Sequence, residues 1–230
     1  MPVPIISHRG LCRTGPRVRR AGENTVASFA AGLAALEALG FPPSLEFDVR
    51  RSADGALFVI HDATLRRTTG VSGRVRRRTA AELRALGIPS VEEVFERFPG
   101  AELHLEIKER GIAEKVRRLI GGHAAGERVI VSSFLWNELA PLRGRARIAL
   151  TTAFPARRAV RSAVEAGAWA IHPEHRRVTA SLIAAAHAAG LKVNAWTVNT
   201  PRAYARVEKL GVDAVFSDNP FLLMPTAPVR

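Results

Sequence analysis

The stretch LEFDVRRSADGALFVIHD, Leu45 to Asp62, places acids where a buried strand is expected to be apolar. Leu45, Phe47 and Val49 alternate with Glu46, Asp48 and Arg50, so a period of two sends an apolar row to one face and two carboxylates to the other. A second apolar run, ALFVIH, follows the turn signal Asp54-Gly55 and ends in His61-Asp62. ELHLEIK, Glu102 to Lys108, repeats the device: Leu103, Leu105 and Ile107 form the apolar row, which puts His104, Glu106 and Lys108 on the opposite face. Glu46, Asp48 and Glu106 then converge as three carboxylates. Such a group repels itself in a sheet interior unless a cation lies within it. An all-oxygen set with no thiolate favours one hard divalent ion, Mg²⁺ or Ca²⁺, over zinc. The competing arrangement is neutralisation by Arg50 or Lys108.

The elements that must position these residues are short. Strand patterns lie at residues 4–8, 44–50, 102–108, 128–133, 147–152, 169–173, 192–198 and 213–218, each apolar, and amphipathic helix patterns fill the gaps, WNELAPLRG among them. Eight strands alternating with helices over 230 residues, without a linker-like stretch, predict a TIM (β/α)8 barrel, an α/β fold, in one domain spanning 1–230. FVIH is a hairpin extension of the second strand, and residues 62–89 form a short insertion at the mouth. A doubly wound sheet is disfavoured because no GxGxxG follows the first strand. Barrel enzymes draw catalytic groups from the C-terminal ends of strands. His8, Arg9, Glu46, Asp48, His61, Glu106 and Lys108 all fall there. His104 lies deeper and reads as a hydrogen-bonded core residue. His172 and Glu174 line the mouth or merely close a strand, and Phe216 and Asp218 shape the pocket or cap a strand end.

Composition narrows the remainder. The formal net charge is +13, with basic clusters at RTGPRVRR (Arg13 to Arg20) and RVRRR (Arg74 to Arg78). Of 34 basic residues 30 are arginine, spread along the whole chain, which reads as compositional bias. Aromatics are few and no RRM or zinc-finger signature is present, so no specific nucleic-acid partner is expected. A single cysteine, Cys12, excludes an intramolecular disulfide and suits a reducing compartment. No apolar run approaches the ~20 residues of a membrane span, and MPVPIISHRG lacks the features of a signal peptide. The expectation is a soluble, cytoplasmic protein; nothing in the sequence sets its oligomeric state.

HRG at His8, ENT at Glu23, EFDVRRSADGALFVIHDATLRRTTG, LEIK and WTVN resemble, in order and spacing, the glycerophosphodiester phosphodiesterase family, from His8 to about Asn219. The resemblance implies a metal-dependent phosphodiesterase that hydrolyses small glycerophosphodiesters to glycerol 3-phosphate and an alcohol. It makes Glu46, Asp48 and Glu106 the metal ligands and His8 and His61 a catalytic acid and base pair. Arg9 and Lys108 become phosphate contacts, Trp196 an apolar wall for the glycerol or leaving group, and Glu23 a glycerol contact or a support behind the ligands. Two departures stand out: Gly22 replaces the proline usual before ENT, and RTGPRVRR lengthens the first loop, while the insertion after His61 is short. The alternatives are a lysophospholipase D, which requires an apolar patch at the mouth, and a non-catalytic barrel binding phosphate or polyanions, which should lack an acid or a histidine. All five positions are filled. For the nucleophile two routes stay open, water or the glycerol 2-hydroxyl, the latter favoured by its entropic advantage.

Overall fold

The computed structural model describes residues 2–12, 22–123, 125–153 and 156–224. Alternation at period two produces the strands β1 (Ile5–His8), β2 (Ser44–Arg51), β3 (Leu57–Val59), β4 (Glu102–Ile107), β5 (Val129–Ser133), β6 (Arg147–Thr152), β7 (Ala170–Pro173), β8 (Lys192–Ala195) and β9 (Ala214–Ser217). The helices are α1 (Val26–Ala38), α2 (Arg66–Thr69), α3 (Ala80–Ala85), α4 (Val91–Arg97), α5 (Ala113–Gly122), α6 (Ala156–Glu165), α7 (Ala180–Ala188) and α8 (Pro201–Leu210). Strands β1, β2, β4, β5, β6, β7, β8 and β9 pair in parallel in that order, and β9 pairs with β1, closing the barrel. β3 runs antiparallel to β2, with Val59 opposite Val49, and is the hairpin extension.

The pleat sorts each strand into two rows. Leu45, Phe47, Val49, Leu103, Leu105 and Ile107 face the helices and join one large apolar core with Ile5, Val131, Leu150 and Val215. Full burial of such a side chain stabilises by roughly 1.5–3 kcal/mol, so this row fixes the register. That leaves Glu46, Asp48, His104 and Glu106 for the barrel interior. The insertion builds its own small core from Phe58, Ile60, Leu65, Val75, Leu83 and Ile88.

One expectation fails. WNELAPLRG folds as a 3₁₀ helix, Trp136–Leu142, and not as an α-helix, because Pro141 lacks the amide that would bond back one turn and the segment tightens instead. The basic run RTGPRVRR lies outside the described residues. Among those described, no helix is long and apolar enough to cross a membrane.

Candidate active site

The loop after β1 sets the first side chains. Arg9 and Gly10 both take positive φ, 60° and 80°, so the chain turns sharply as it leaves His8. At Gly10 a Cβ would stand 2.4 Å from the backbone of Ser28, which is why glycine follows HR. The turn is clipped to the ENT segment: Asn24 N–H donates to the Arg9 carbonyl at 3.0 Å and the Ser28 hydroxyl to the same oxygen at 3.1 Å. Asn24 also takes positive φ, 58°, and Thr25 caps α1 through a capping box with Ser28. Positive φ at two non-glycine residues is tolerated where the surroundings over-determine it. Here it aims Arg9 and Asn24 at one acid.

That acid is Asp48. Its Oδ2 accepts a hydrogen bond from the Asn24 amide at 2.9 Å and is ion-paired with Arg9 Nε at 2.9 Å, a contact without hydrogen-bond geometry, and Lys108 Nζ lies 3.3 Å from Oδ1. Parallel pairing sets Asp48 beside Glu106 and His8 beside Glu46. Oxygen atoms of Glu46, Asp48 and Glu106 all lie within 4.8 Å of one another. Lys108 Nζ donates to Glu106 at 2.9 Å. Arg50 turns elsewhere, donating to the His61 carbonyl at 2.8 Å and facing Glu109, so Arg9 and Lys108 are the cations at the acids. Among the described residues, two cations face three buried carboxylates.

The shortfall shows in the electrostatics. Burial, reinforced by Asp48, pushes Glu46 well above the usual carboxylate range, and burial pushes Glu106 up too despite Lys108. Asp48 goes the other way: Arg9 and Lys108 outweigh its burial and hold it well below that range. The same acids raise Lys108 against its own burial. Glu46 Oε2 and Asp48 Oδ1 are buried and accept no hydrogen bond. An all-oxygen cluster with surplus negative charge and orphaned acceptors fits a hard divalent cation.

Both histidines line the same cavity as this cluster. His8 Nδ1 lies 2.6 Å from Asp218 Oδ1, and its Nε2 lies 3.6 Å from Glu46. His61 Nδ1 lies 2.7 Å from Asp62. A carboxylate at Nδ1 fixes the proton there and leaves Nε2 for exchange. Burial lowers the pKa of His61 below 6.5, with Arg9 and Lys108 adding to it against Asp48. A cavity of about 310 Å³ is lined by His8, Arg9, Glu46, His61, Glu106, Lys108 and Trp196 together with Ser132, Phe134, Thr151, His172, Thr197 and Phe216.

Of the residues named from the sequence, His8, Arg9, Glu46, His61, Glu106, Lys108 and Trp196 line this cavity, and Asp48 lies beside Glu46 and Glu106. Glu23 is set back from the cavity, its carboxylate accepting from Arg9 at 3.3 Å and from Arg67 at 2.7 Å. Trp196 donates its indole N–H to the His172 carbonyl and meets Phe134 edge to face at 5.5 Å. His104 is a core residue, paired with Glu102 at 3.1 Å. Three supports were not given that role from the sequence, although Asp218 was named there as a pocket or strand-end residue. Asp218 holds His8 and is itself gripped by Asn199, whose amide donates to Oδ2 at 2.7 Å; Asn24 holds Asp48; Asp62 holds His61. Asn199 and Asn24 are the asparagines of WTVN and ENT, so the motifs carried their signal.

Known proteins resemble this chain in sequence and fold. The profile of the "Glycerophosphoryl diester phosphodiesterase family" matches residues 8–222. A glycerophosphodiester phosphodiesterase of Caldanaerobacter subterraneus is 31% identical, with 97% of each chain covered. Among solved structures, a glycerophosphodiester phosphodiesterase from Agrobacterium tumefaciens superposes with a TM-score of 0.76 at 27% identity, covering 96% of this chain and 98% of that one. A phosphodiesterase of Oleispira antarctica, solved with its product sn-glycerol-3-phosphate, gives 0.81 at 25% identity and covers 96% and 94%.

Proposed function

This chain belongs to the glycerophosphoryl diester phosphodiesterase family, and on that premise we propose that it hydrolyses small glycerophosphodiesters with one divalent ion and two histidines. The convergence of Glu46, Asp48 and Glu106 with His8, His61, Arg9 and Lys108 around one cavity carries the reading. The product complex of the Oleispira protein supports glycerol 3-phosphate as the retained half. Mg²⁺ or Ca²⁺ held by Glu46, Asp48 and Glu106 would neutralise charge on the nonbridging phosphate oxygens and acidify a nearby hydroxyl. A cytoplasmic site of action accords with Cys12 being the single cysteine of the chain, buried in the fold.

The chain's own groups do the rest. Arg9 and Lys108 contact the phosphate, and Trp196 with Phe134 walls off the apolar side. His61, depressed below 6.5, is neutral at pH 7 and takes the proton of the attacking hydroxyl at Nε2, leaving His8 to protonate the departing alcohol. The attacking group is the glycerol 2-hydroxyl: its oxygen bonds to phosphorus, the bond to the head-group oxygen breaks, and water then opens the cyclic phosphate with the proton transfers reversed. A tethered hydroxyl gains effective molarities of roughly 10⁵ M or more over free water.

Release of glycerol 3-phosphate from glycerophosphocholine, assayed with and without chelator, tests the activity. Full turnover in excess chelator would remove the metal from the scheme. An analogue with hydrogen in place of the 2-hydroxyl tests the route: the internal mechanism predicts no turnover at saturation, and turnover comparable to the parent substrate would leave water as the nucleophile.

A further inference from the structure

Asp62 is the carboxylate that orients His61, and it stands on the insertion, outside the barrel proper. On a free loop it would hold an imidazole poorly. Its second partner is Arg67, from the single turn of α2. Arg67 Nε donates to Asp62 Oδ2 at 2.6 Å and Nη2 to Oδ1 at 3.1 Å, a two-pronged contact that leaves the carboxylate one orientation. The opposite edge of the same guanidinium grips Glu23, Nη1 to Oε2 at 2.8 Å and Nη2 to Oε1 at 2.7 Å. Glu23 in turn meets Arg9, and Arg9 meets Asp48. Charges therefore alternate along one chain: His61, Asp62, Arg67, Glu23, Arg9, Asp48.

The backbone beneath Arg67 is fixed. Leu65 is fully buried in the insertion's core, its N–H donates to the Gly73 carbonyl at 3.0 Å, and Gly70 closes α2 in the left-handed conformation. Arg67 itself stands outside the wall of the cavity that holds His8 and His61. All three of its nitrogens are taken by carboxylates of the protein, which places it to organise the site, although with His61 and Glu23 it also lines a neighbouring cavity of about 360 Å³.

We infer that Arg67 is a positioning residue for the proposed reaction, locking Asp62, and through it the ring of His61, to the Glu23 and Arg9 side of the acid cluster. Among the described residues, this side chain links the two halves of the mouth, the β1 loop through Glu23 and the insertion through Asp62. Asp62 agrees with the geometry: its pKa is held down to about 2, with the Arg67 hydrogen bonds the largest cause, so it remains an ionised acceptor for the imidazole N–H. Lysine cannot substitute, because a single ammonium cannot present a planar fork to two carboxylates.

The inference rests on the proposed role of His61, and the test separates the two. Steady-state kinetics with glycerophosphocholine and Mg²⁺ compare wild type, Arg67→Met, Arg67→Lys, Asp62→Asn, Arg67→Met/Asp62→Asn and His61→Ala. Loss of such a support is expected to lower kcat by about 10-fold or more, with KM within about twofold, in both Arg67 variants. If Arg67→Met does not fold, Arg67→Lys keeps the stem and the charge and carries the same comparison. The double variant should fall within about twofold of Asp62→Asn alone, since residues acting as a unit are not additive. Effects that multiply, or a rise in KM at unchanged kcat, would overturn the inference. Unchanged kcat in Arg67→Met beside an impaired His61→Ala would also overturn it while sparing the reading of His61. An unimpaired His61→Ala would overturn both.

Discussion

Strand β4 carries two acid–base pairs on one face, one behind the other, and they do different things. At the inner end Glu102 accepts from His104 at 3.1 Å and from Arg147 at 2.8 Å. His104 then meets the rings of His172, tilted, and Phe216, edge-on, with centroids 5.9 and 5.4 Å away. One acid meets one permanent cation, and Glu102, partly buried, is held down to about 2 by His104 and Arg147. At the mouth Glu106 and Lys108 join Glu46, Asp48 and Arg9, where, among the described residues, three acids meet two cations and two buried carboxylate oxygens accept no hydrogen bond. Residue type does not separate the two ends. Charge balance does: the inner end sets one acid against one permanent cation, and the mouth sets three acids against two.

The histidines should divide along the same line. Either His8→Ala or His61→Ala is expected to lower kcat by about 10² or more, whereas His104→Gln should leave kcat within a few-fold. Thermal unfolding monitors the fold in each. A comparable loss of turnover in His104→Gln would erase the distinction between the two ends.

A second consequence concerns pH. Burial lowers His104 below 6.5 and His172 well below it. A base depressed in the fold contributes stability that is whole above its unfolded pKa, about 6.5, and that fades as pH falls toward the folded value, because the unfolded chain takes up a proton the fold refuses. Each such histidine contributes a slope of up to about 1.4 kcal/mol per pH unit in that window. His172→Gln should therefore flatten the fall of the melting temperature between pH 7 and pH 5. An unchanged slope would mean that the inner cluster admits the proton.

The smallest effect belongs to the rim. Phe134, 42% exposed and edge-on to Trp196, contributes an apolar contact and no charge. Phe134→Ala should cost about 1 kcal/mol of binding, roughly fivefold in KM, with kcat little altered. A fall in kcat alone would move this residue from the wall to the chemistry.

Much of this was legible before any coordinates. Period-two alternation assigned Glu46, Asp48 and Glu106 to the barrel interior, because one apolar row must face the helices and only two faces exist. The hairpin FVIH and the eight parallel strands followed from short apolar runs between helix patterns. Pairs made by closure were not legible. His8 and Asp218 meet only because β9 returns to β1, and no local period records that. Arg67 was hidden in another way: among so many arginines, composition cannot distinguish one that bridges two carboxylates from one that is merely solvated. WNELAPLRG shows the converse limit, where an amphipathic pattern was right about packing and wrong about pitch.

The most direct test of the claim that the mouth binds one divalent cation is the melting temperature of the chelated protein titrated with Mg²⁺ or Ca²⁺, read beside Glu46→Gln. At a hundredfold excess over Kd, an ion bound only by the fold stabilises by about 2.7 kcal/mol, roughly 5 to 10 °C for a chain of this length. The account predicts that rise in the wild type, in step with recovery of turnover, and a far smaller one in Glu46→Gln, which keeps the shape but loses a charged ligand. A wild-type melting temperature indifferent to both ions, or a Glu46→Gln protein that responds equally, would contradict it.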